Sequence, residues 1–291
     1  MTFFKWVRTY PMTAIMIVVC LVGCPYFAVN GIFEKWQAYN SQVICVDGMG
    51  AFTSERKLPA FISADVQRTL TEHQEEVAEK LASFHKVKTS YLEDAVFIGD
   101  SRTDTLRLYS GWDMATYYCK TGTNIWAILG DEVVEDKESG RTLTVEQGLE
   151  KFKFGKVYIM LGVNELGTGS AETYYQQFKS VVERIRELQP EAVIFVQSIM
   201  HVTAAKDAEG TAINNKNINE RNHWLEKLAD GKSIFYLDEN EVLDDENGCL
   251  KSDSTFDGVH LKADKVGPWK KFILGHGIEL IKPIGSSTGQ E

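Results

Sequence analysis

Ala95-Val96-Phe97-Ile98-Gly99-Asp100-Ser101 is a short apolar run that breaks at a glycine and ends on an acid and a serine. Four consecutive apolar residues closed by a turn residue read as a buried strand. The polar pair that follows is therefore delivered to the edge of a sheet. Asp-Ser in that place also suits a helix cap, because a side-chain oxygen there can accept from first-turn amides.

Outward from this stretch the chain alternates. Strands are expected at 95–98, 115–119, 157–161, 193–197 and 234–237, and helices at 124–129, 144–152, 171–188, 213–228 and 263–280. Thr144 to Gln147 has the form of a capping start, and Pro190 closes the long helix that begins at Ala171. Strand–helix alternation predicts an α/β domain with a parallel sheet of about five strands covered on both faces. In such sheets ligands gather at the carboxyl ends of the strands. Those ends carry Gly99-Asp100-Ser101, Lys120-Thr121-Gly122-Thr123-Asn124, Gly162-Val163-Asn164-Glu165 and Gln197-Ser198-Ile199-Met200-His201. Asp257-Gly258-Val259-His260 lies in the long stretch after the fifth strand.

Serine is a weak nucleophile until a base lies within hydrogen-bond reach. His260 is the candidate base for Ser101, and Asp257 the carboxylate that orients its ring. A tetrahedral oxyanion needs fixed donors. Gly122 offers an N–H with no side chain in the way, Asn164 an amide, and Ser101 its own N–H if it opens a helix. Each has an alternative role: Gly122 and the 257–260 segment as turns, Asn164 as a helix cap. His201, at a strand end, competes as base and otherwise lines the pocket. Trp126, close behind Gly122, is the tryptophan best placed for a pocket, whereas Trp112, Trp224 and Trp269 read as core. A different chemistry, a metal-dependent phosphoesterase, would use Asp100, Asn164, Asp257 and His260 as ligands.

Gly99-Asp100-Ser101, Gly122, Gly162-Val163-Asn164-Glu165 and Asp257-Gly258-Val259-His260, in this order, resemble the motifs of the SGNH (GDSL-type) hydrolases over about residues 92–281. The resemblance implies a flavodoxin-like three-layer α/β/α fold and an esterase, lipase, carbohydrate acetylesterase or O-acetyltransferase that uses no metal and no cofactor. It makes Ser101 the nucleophile, His260 the base, Asp257 its partner, and Gly122 and Asn164 oxyanion donors. Two positions depart from the pattern. Glu165 stands where Gly-x-Asn-Asp usually ends, and Arg102 follows the serine where many members are apolar. Arg102 either meets an anionic substrate or forms a salt bridge to Asp104 or Glu165, and the second is preferred. Arg102 and Glu165 join Trp126 and His201 as candidate pocket residues.

The bulk properties limit the partners. The 291 residues carry a net charge of −10, with 44% hydrophobic and 25% charged residues. An acidic chain lacks the basic footprint that nucleic acid requires. Five cysteines without zinc-ligand spacing imply neither a metal site nor a disulfide framework. Near the start, Lys5 and Arg8 precede an uncharged, largely apolar run from Met12 that meets no charge until Glu34. This approaches the roughly 20 apolar residues that span a bilayer, and the basic flank keeps the N-terminus cytoplasmic. The expected organisation is a cytoplasmic terminus (1–11), a signal anchor (12–33), a stalk and lead-in helix (34–91), the hydrolase domain (92–283) and a tail (284–291). A lipoprotein signal at Leu21-Val22-Gly23-Cys24 is the alternative anchor. Apolar residues beyond Cys24, with Pro25 directly after it, count against that alternative. Both place the domain outside the cytoplasm. The expected function is an extracytoplasmic serine esterase on O-acyl, in particular acetyl, groups of a glycan or small ester. The alternatives are an O-acetyltransferase or a non-catalytic glycan-binding domain.

Overall fold

The computed structural model describes residues 83–278. The expected anchor, nearly all of the lead-in helix and the tail lie outside these residues. Among the described residues no helix is long and apolar enough to cross a membrane.

Five strands form one parallel sheet: β1 (Ala95–Gly99), β2 (Thr116–Cys119), β5 (Lys156–Met160), β6 (Val193–Gln197) and β7 (Ile234–Leu237), in the order β2-β1-β5-β6-β7. The chain first runs outward from β1 to β2, then returns to β1's other side and proceeds away. The order reverses between β1 and β5, the point at which a doubly wound sheet opens a crevice at its strand ends.

Period-two alternation sorts the strand side chains between two cores. Val96, Ile98, Val157, Ile159, Ile194 and Val196 pack with residues of helices α2 (Val145–Lys151), α3 (Ala171–Leu188) and α5 (Asn215–Glu226). Their neighbours Phe97, Tyr158, Phe195 and Phe235 face the other way, toward α1 (Ser101–Tyr109) and α7 (Gly267–Gly275), with Trp269 wholly buried. In register, these four rings and Tyr117 make one aromatic row across all five strands. Its central members Phe97, Tyr158 and Phe195 stack with centroids 4.5 Å apart. This is the expected three-layer α/β/α arrangement.

Two short helices, α4 (Ala204–Asp207) and α6 (Asn240–Leu243), follow β6 and β7. The structure also departs from the periodicity. The expected helix at 124–129 is a turn followed by one 3-10 turn (Ile128–Gly130), because its amides are taken by side chains. Trp126 and Ala127 donate to Asn124 Oδ1, and Ile125 donates to Glu165. The helix expected over 263–280 is shortened to α7, which restarts at Gly267-Pro268 after a separate 3-10 turn (Ala263–Lys265). An antiparallel hairpin, β3 (Glu132–Asp136) and β4 (Arg141–Thr144), precedes α2 and was not anticipated. Upstream, the amide of His85 donates to Gly277 O and that of Val87 to Leu274 O, so the folded body begins before residue 92.

Candidate active site

Ser101 is the first residue of α1, directly after β1. Asp100 caps that helix, its Oδ1 accepting the Arg102 N–H at 2.9 Å. Gly99 permits the tight junction. A Cβ there would stand 2.1 Å from Thr103 Oγ1 and 2.4 Å from Met160 O, so only glycine lets α1 start this close to the sheet. The Ser101 Oγ lies 2.8 Å from His260 Nε2, and His260 Nδ1 lies 2.7 Å from Asp257 Oδ2. Ser101 and a turn far along the chain thus form one hydrogen-bonded chain.

The Asp257–His260 turn is largely self-supporting. Asp257 Oδ1 accepts the N–H groups of Val259 and His260, each at 2.9 Å, and the Thr255 hydroxyl donates to it. Gly258 has φ +81° and donates its N–H to Thr255 Oγ1. A Cβ at Gly258 would also meet Thr203 Oγ1 and Lys206 Cβ, each at 2.8 Å. Partial burial opposes the Asp257 charge. The His260 N–H and ring and the Val259 N–H outweigh it and hold the carboxyl well below its ordinary pKa. Asp257 therefore stays ionised beside the imidazole. Both side chains are open to solvent, His260 at 41% and Asp257 at 54% exposure.

The loops after β2 and β5 face the same crevice. Gly122, at φ +79°, has no heavy atom within 4 Å of where a Cβ would stand, so its outer face is open. Asn164 donates one Nδ2 hydrogen to Thr123 O at 2.8 Å, which orients the amide and leaves the second hydrogen free of that bond. The first-turn amides of α1 have no intrahelical partner, which adds the Ser101 N–H to the same set.

The remaining pocket candidates separate. Trp126 is 41% exposed on the loop after Gly122. Arg102 is buried, and neither expected salt bridge forms: Asp104 pairs with Arg107 and Glu165 accepts from Ile125. Its arm runs inward instead, and Nη1 donates to Met200 O at 2.8 Å. Burial lowers its pKa to about 10 against the pull of Asp100 and Asp257. Glu165 is 2% exposed and forms part of the wall beneath the loops, not an open pocket surface. His201 is buried between Asp244 Oδ2 at 2.5 Å and Asn219 Oδ1 at 2.7 Å, so both ring nitrogens are engaged away from Ser101. Asp244, its carboxylate, lies too far along the chain for spacing to reveal it.

Sequence reasoning also missed how the loop after β6 is fixed. Asn222 pairs with both the N–H and C=O of Ile199, Asn215 pairs with both groups of Val202, and Asn240 accepts the His201 N–H. Three side-chain amides thus satisfy backbone that lacks a strand partner. The fixed loop presents Met200 O to Arg102, and Thr203 N–H to Gly258 O at 3.0 Å. Asparagines at helical positions 215 and 222 were the available sign, since they are poor helix formers with no capping role there.

The proposed metal ligands do not converge. Asp100 is a buried cap, Asn164 is tied to Thr123, and Asp257 is bound to His260. Among the described residues no three His, Cys, Asp or Glu side chains are grouped to hold a metal ion.

Residues 97–264 match the family model described as the GDSL-like lipase/acylhydrolase family. The chain belongs to this family. The match spans the segment from β1 through the Asp257–His260 turn, and it makes the protein an enzyme of ester hydrolysis. Solved structures similar to this GDSL-like chain include a GDSL-like lipase from Bacteroides thetaiotaomicron, at 15% identity and TM-score 0.46, covering 68% of this chain and 94% of that one. A carbohydrate esterase family 3 protein from Talaromyces cellulolyticus is 14% identical with TM-score 0.40, covering 62% and 92%. An acetyl xylan esterase is 16% identical with TM-score 0.41, covering 62% and 98%. No curated protein matches the sequence.

Proposed function

We propose that this GDSL-like enzyme is a serine esterase that removes O-acyl groups, acetyl in particular, from a glycan or small ester outside the cytoplasm. The carrying observation is the continuous Ser101–His260–Asp257 hydrogen-bond chain, at 2.8 and 2.7 Å. Ser101 Oγ attacks the ester carbonyl as its proton passes to His260 Nε2. The developing oxyanion is received by the Gly122 N–H, the second Asn164 Nδ2 hydrogen and the Ser101 N–H. His260 returns the proton to the leaving alcohol, which leaves an acyl group on Ser101. Water then attacks the acyl carbon and gives its proton to His260. Collapse releases the acid and restores the Ser101 hydroxyl with that proton. Asp257 holds the ring and stabilises the imidazolium without itself taking the proton.

The solvent exposure of His260 and Asp257 favours water as the acceptor over a sugar hydroxyl, since transfer requires water to be kept out. Exposed Trp126 offers a flat face on which a sugar ring can stack. The location rests on the basic-flanked apolar run from Met12, read as a single-pass anchor, with lipidation at Cys24 as the alternative.

The test is labelling of the full-length protein by a fluorophosphonate, together with hydrolysis of acetyl esters and acetylated oligosaccharides. Wild type is expected to label and turn over, and Ser101→Ala to do neither. An unlabelled, inactive wild type beside a reacting control esterase would sink the proposal, and full activity in His260→Ala would remove the base assignment.

A further inference from the structure

We propose that Glu165 is the positioning residue of the oxyanion site, its buried side chain bracing the loop that carries Gly122 against the turn that carries Asn164. This rests on the oxyanion role proposed above. Glu165 directly follows Asn164, and its Oε1 accepts the Ile125 N–H at 2.9 Å. Asn164 itself donates to Thr123 O in the same loop. Two parallel ties therefore join the turn after β5 to residues 123–125, immediately beyond Gly122. One is made by the donor residue and one by its neighbour. If Glu165 released Ile125, the tie left from the turn after β5 would be the Asn164 bond to Thr123 O, made by the amide that must also face the substrate.

The side-chain length is part of the fit. An aspartate at 165 would set its carboxylate back by about one carbon–carbon bond, roughly 1.5 Å, beyond hydrogen-bond reach of an amide now at 2.9 Å. Lys120 and Thr123, on either side of Gly122, are anchored separately on the buried carboxylate of Asp131. The Glu165 bond adds the hold on Ile125, which those anchors do not touch.

Ionisation modulates the brace. Burial raises the Glu165 pKa to about 7 despite the Ile125 N–H. The charged groups acting on it are Asp100 at the start of α1, which raises it further, and Arg221 on α5, which lowers it. The Tyr174 hydroxyl on α3 feels the Glu165 charge and donates to Leu161 O. The charge-assisted bond to Ile125 is the stronger form, so the brace tightens as pH rises through neutrality.

The experiment compares full-length wild type, Glu165→Gln, Glu165→Asp and Ser101→Ala in hydrolysis of p-nitrophenyl acetate, with kcat expressed per fluorophosphonate-titrated site. Glu165→Asp is expected to lose about 10- to 100-fold in kcat with KM within about twofold, since a misplaced oxyanion donor acts in the transition state. Glu165→Gln keeps an acceptor for Ile125 and should stay within about fivefold at pH 8. The ratio of kcat/KM in wild type to that in Glu165→Gln should rise as pH increases through about 7, where the Glu165 carboxyl ionises. A Glu165→Asp kcat within about twofold of wild type overturns the inference. So does equal damage in both variants, or a wild-type to Glu165→Gln ratio that does not change with pH. Should Glu165→Asp fail to fold, the wild-type and Glu165→Gln profiles decide alone. A wild type that is neither active nor labelled speaks against the esterase itself. An active, labelled wild type with an indifferent Glu165→Asp speaks only against the brace.

Discussion

Asp257→Asn separates orientation from mere proximity at this site. In the native protein Asp257 Oδ1 is fixed by two backbone donors, Val259 and His260, each at 2.9 Å, while Oδ2 faces His260 Nδ1 at 2.7 Å. An asparagine must keep its carbonyl oxygen on the two backbone donors, which forces its NH2 toward Nδ1. The imidazole answers by moving its proton to Nε2, the atom 2.8 Å from Ser101 Oγ that must accept a proton. For a buried acid this wrong tautomer costs about 10⁴ in kcat. The Asp257 side chain is 54% exposed, so water shares its role and a smaller loss is expected. We expect kcat to fall about 10²- to 10³-fold, equivalent to roughly 3–4 kcal/mol of transition-state stabilisation. The assay is the pre-steady-state acylation burst with p-nitrophenyl acetate, beside Asp257→Ala. Alanine removes the opposing donor and leaves both tautomers open, so Asp257→Ala should be the faster variant by about tenfold. An Asp257→Asn burst rate within about threefold of wild type, or a ranking with alanine slower, would refute the tautomer argument.

Four further outcomes follow from the geometry. Gly99→Ala places a methyl group 2.4 Å from Met160 O and should either fail to fold or lower the denaturation midpoint by an amount equivalent to about 3 kcal/mol or more, read by urea titration. Gly258→Ala combines strain at φ +81° with contact to Thr203 Oγ1, and should cut esterase activity at least about tenfold while circular dichroism of the sheet is retained. Thr144→Ala breaks a capping box with Gln147 at the start of α2 and should cost about 1 kcal/mol by thermal melting without altering kcat. Glu165 has its folded pKa raised above the unfolded value, so the unfolded chain binds fewer protons between about pH 4.5 and 7, and this group's contribution to stability falls as pH rises through that window. Wild type should therefore lose roughly 2–3 kcal/mol relative to Glu165→Gln between pH 4.5 and 8, measured by urea denaturation at each pH.

The layers were legible because each central strand is a dense apolar run and the long helices carry apolar residues at helical spacing. β6, β7 and α3 were located to the residue on that basis. Ser101, His260 and Asp257 were legible as candidates because each stands beside a strand end or within one short turn, and the structure joins them by hydrogen bonds. Contacts made by side chains on backbone at long range were not. Glu165 on Ile125 and the three asparagines on residues 199–202 leave no periodic trace, since one partner is a main-chain group that every residue has. The β3–β4 hairpin was hidden because its strands are short and polar. The turn chemistry of Asp136 through Gly140, with Asp136 accepting from Glu138 N and Ser139 Oγ, was the signal that could have exposed it.

The turn from Thr255 to His260 holds its own shape through Thr255 and Asp257, closes where Lys262 donates to Ser254 O, and is fastened to the loop after β6 by Thr203 on Gly258. The proposed acid–base pair is in effect a prefabricated cassette, while Ser101 is built into the junction of β1 and α1. Cassette and sheet have separate reasons to be stable, so they need not part company at the same temperature. An inactive population with an intact sheet is the expected first product of heating. Shelf life would then depend on how firmly one surface turn stays docked, and stabilising changes for this enzyme belong at the seam between residues 203 and 258, not in an aromatic core that is already well filled.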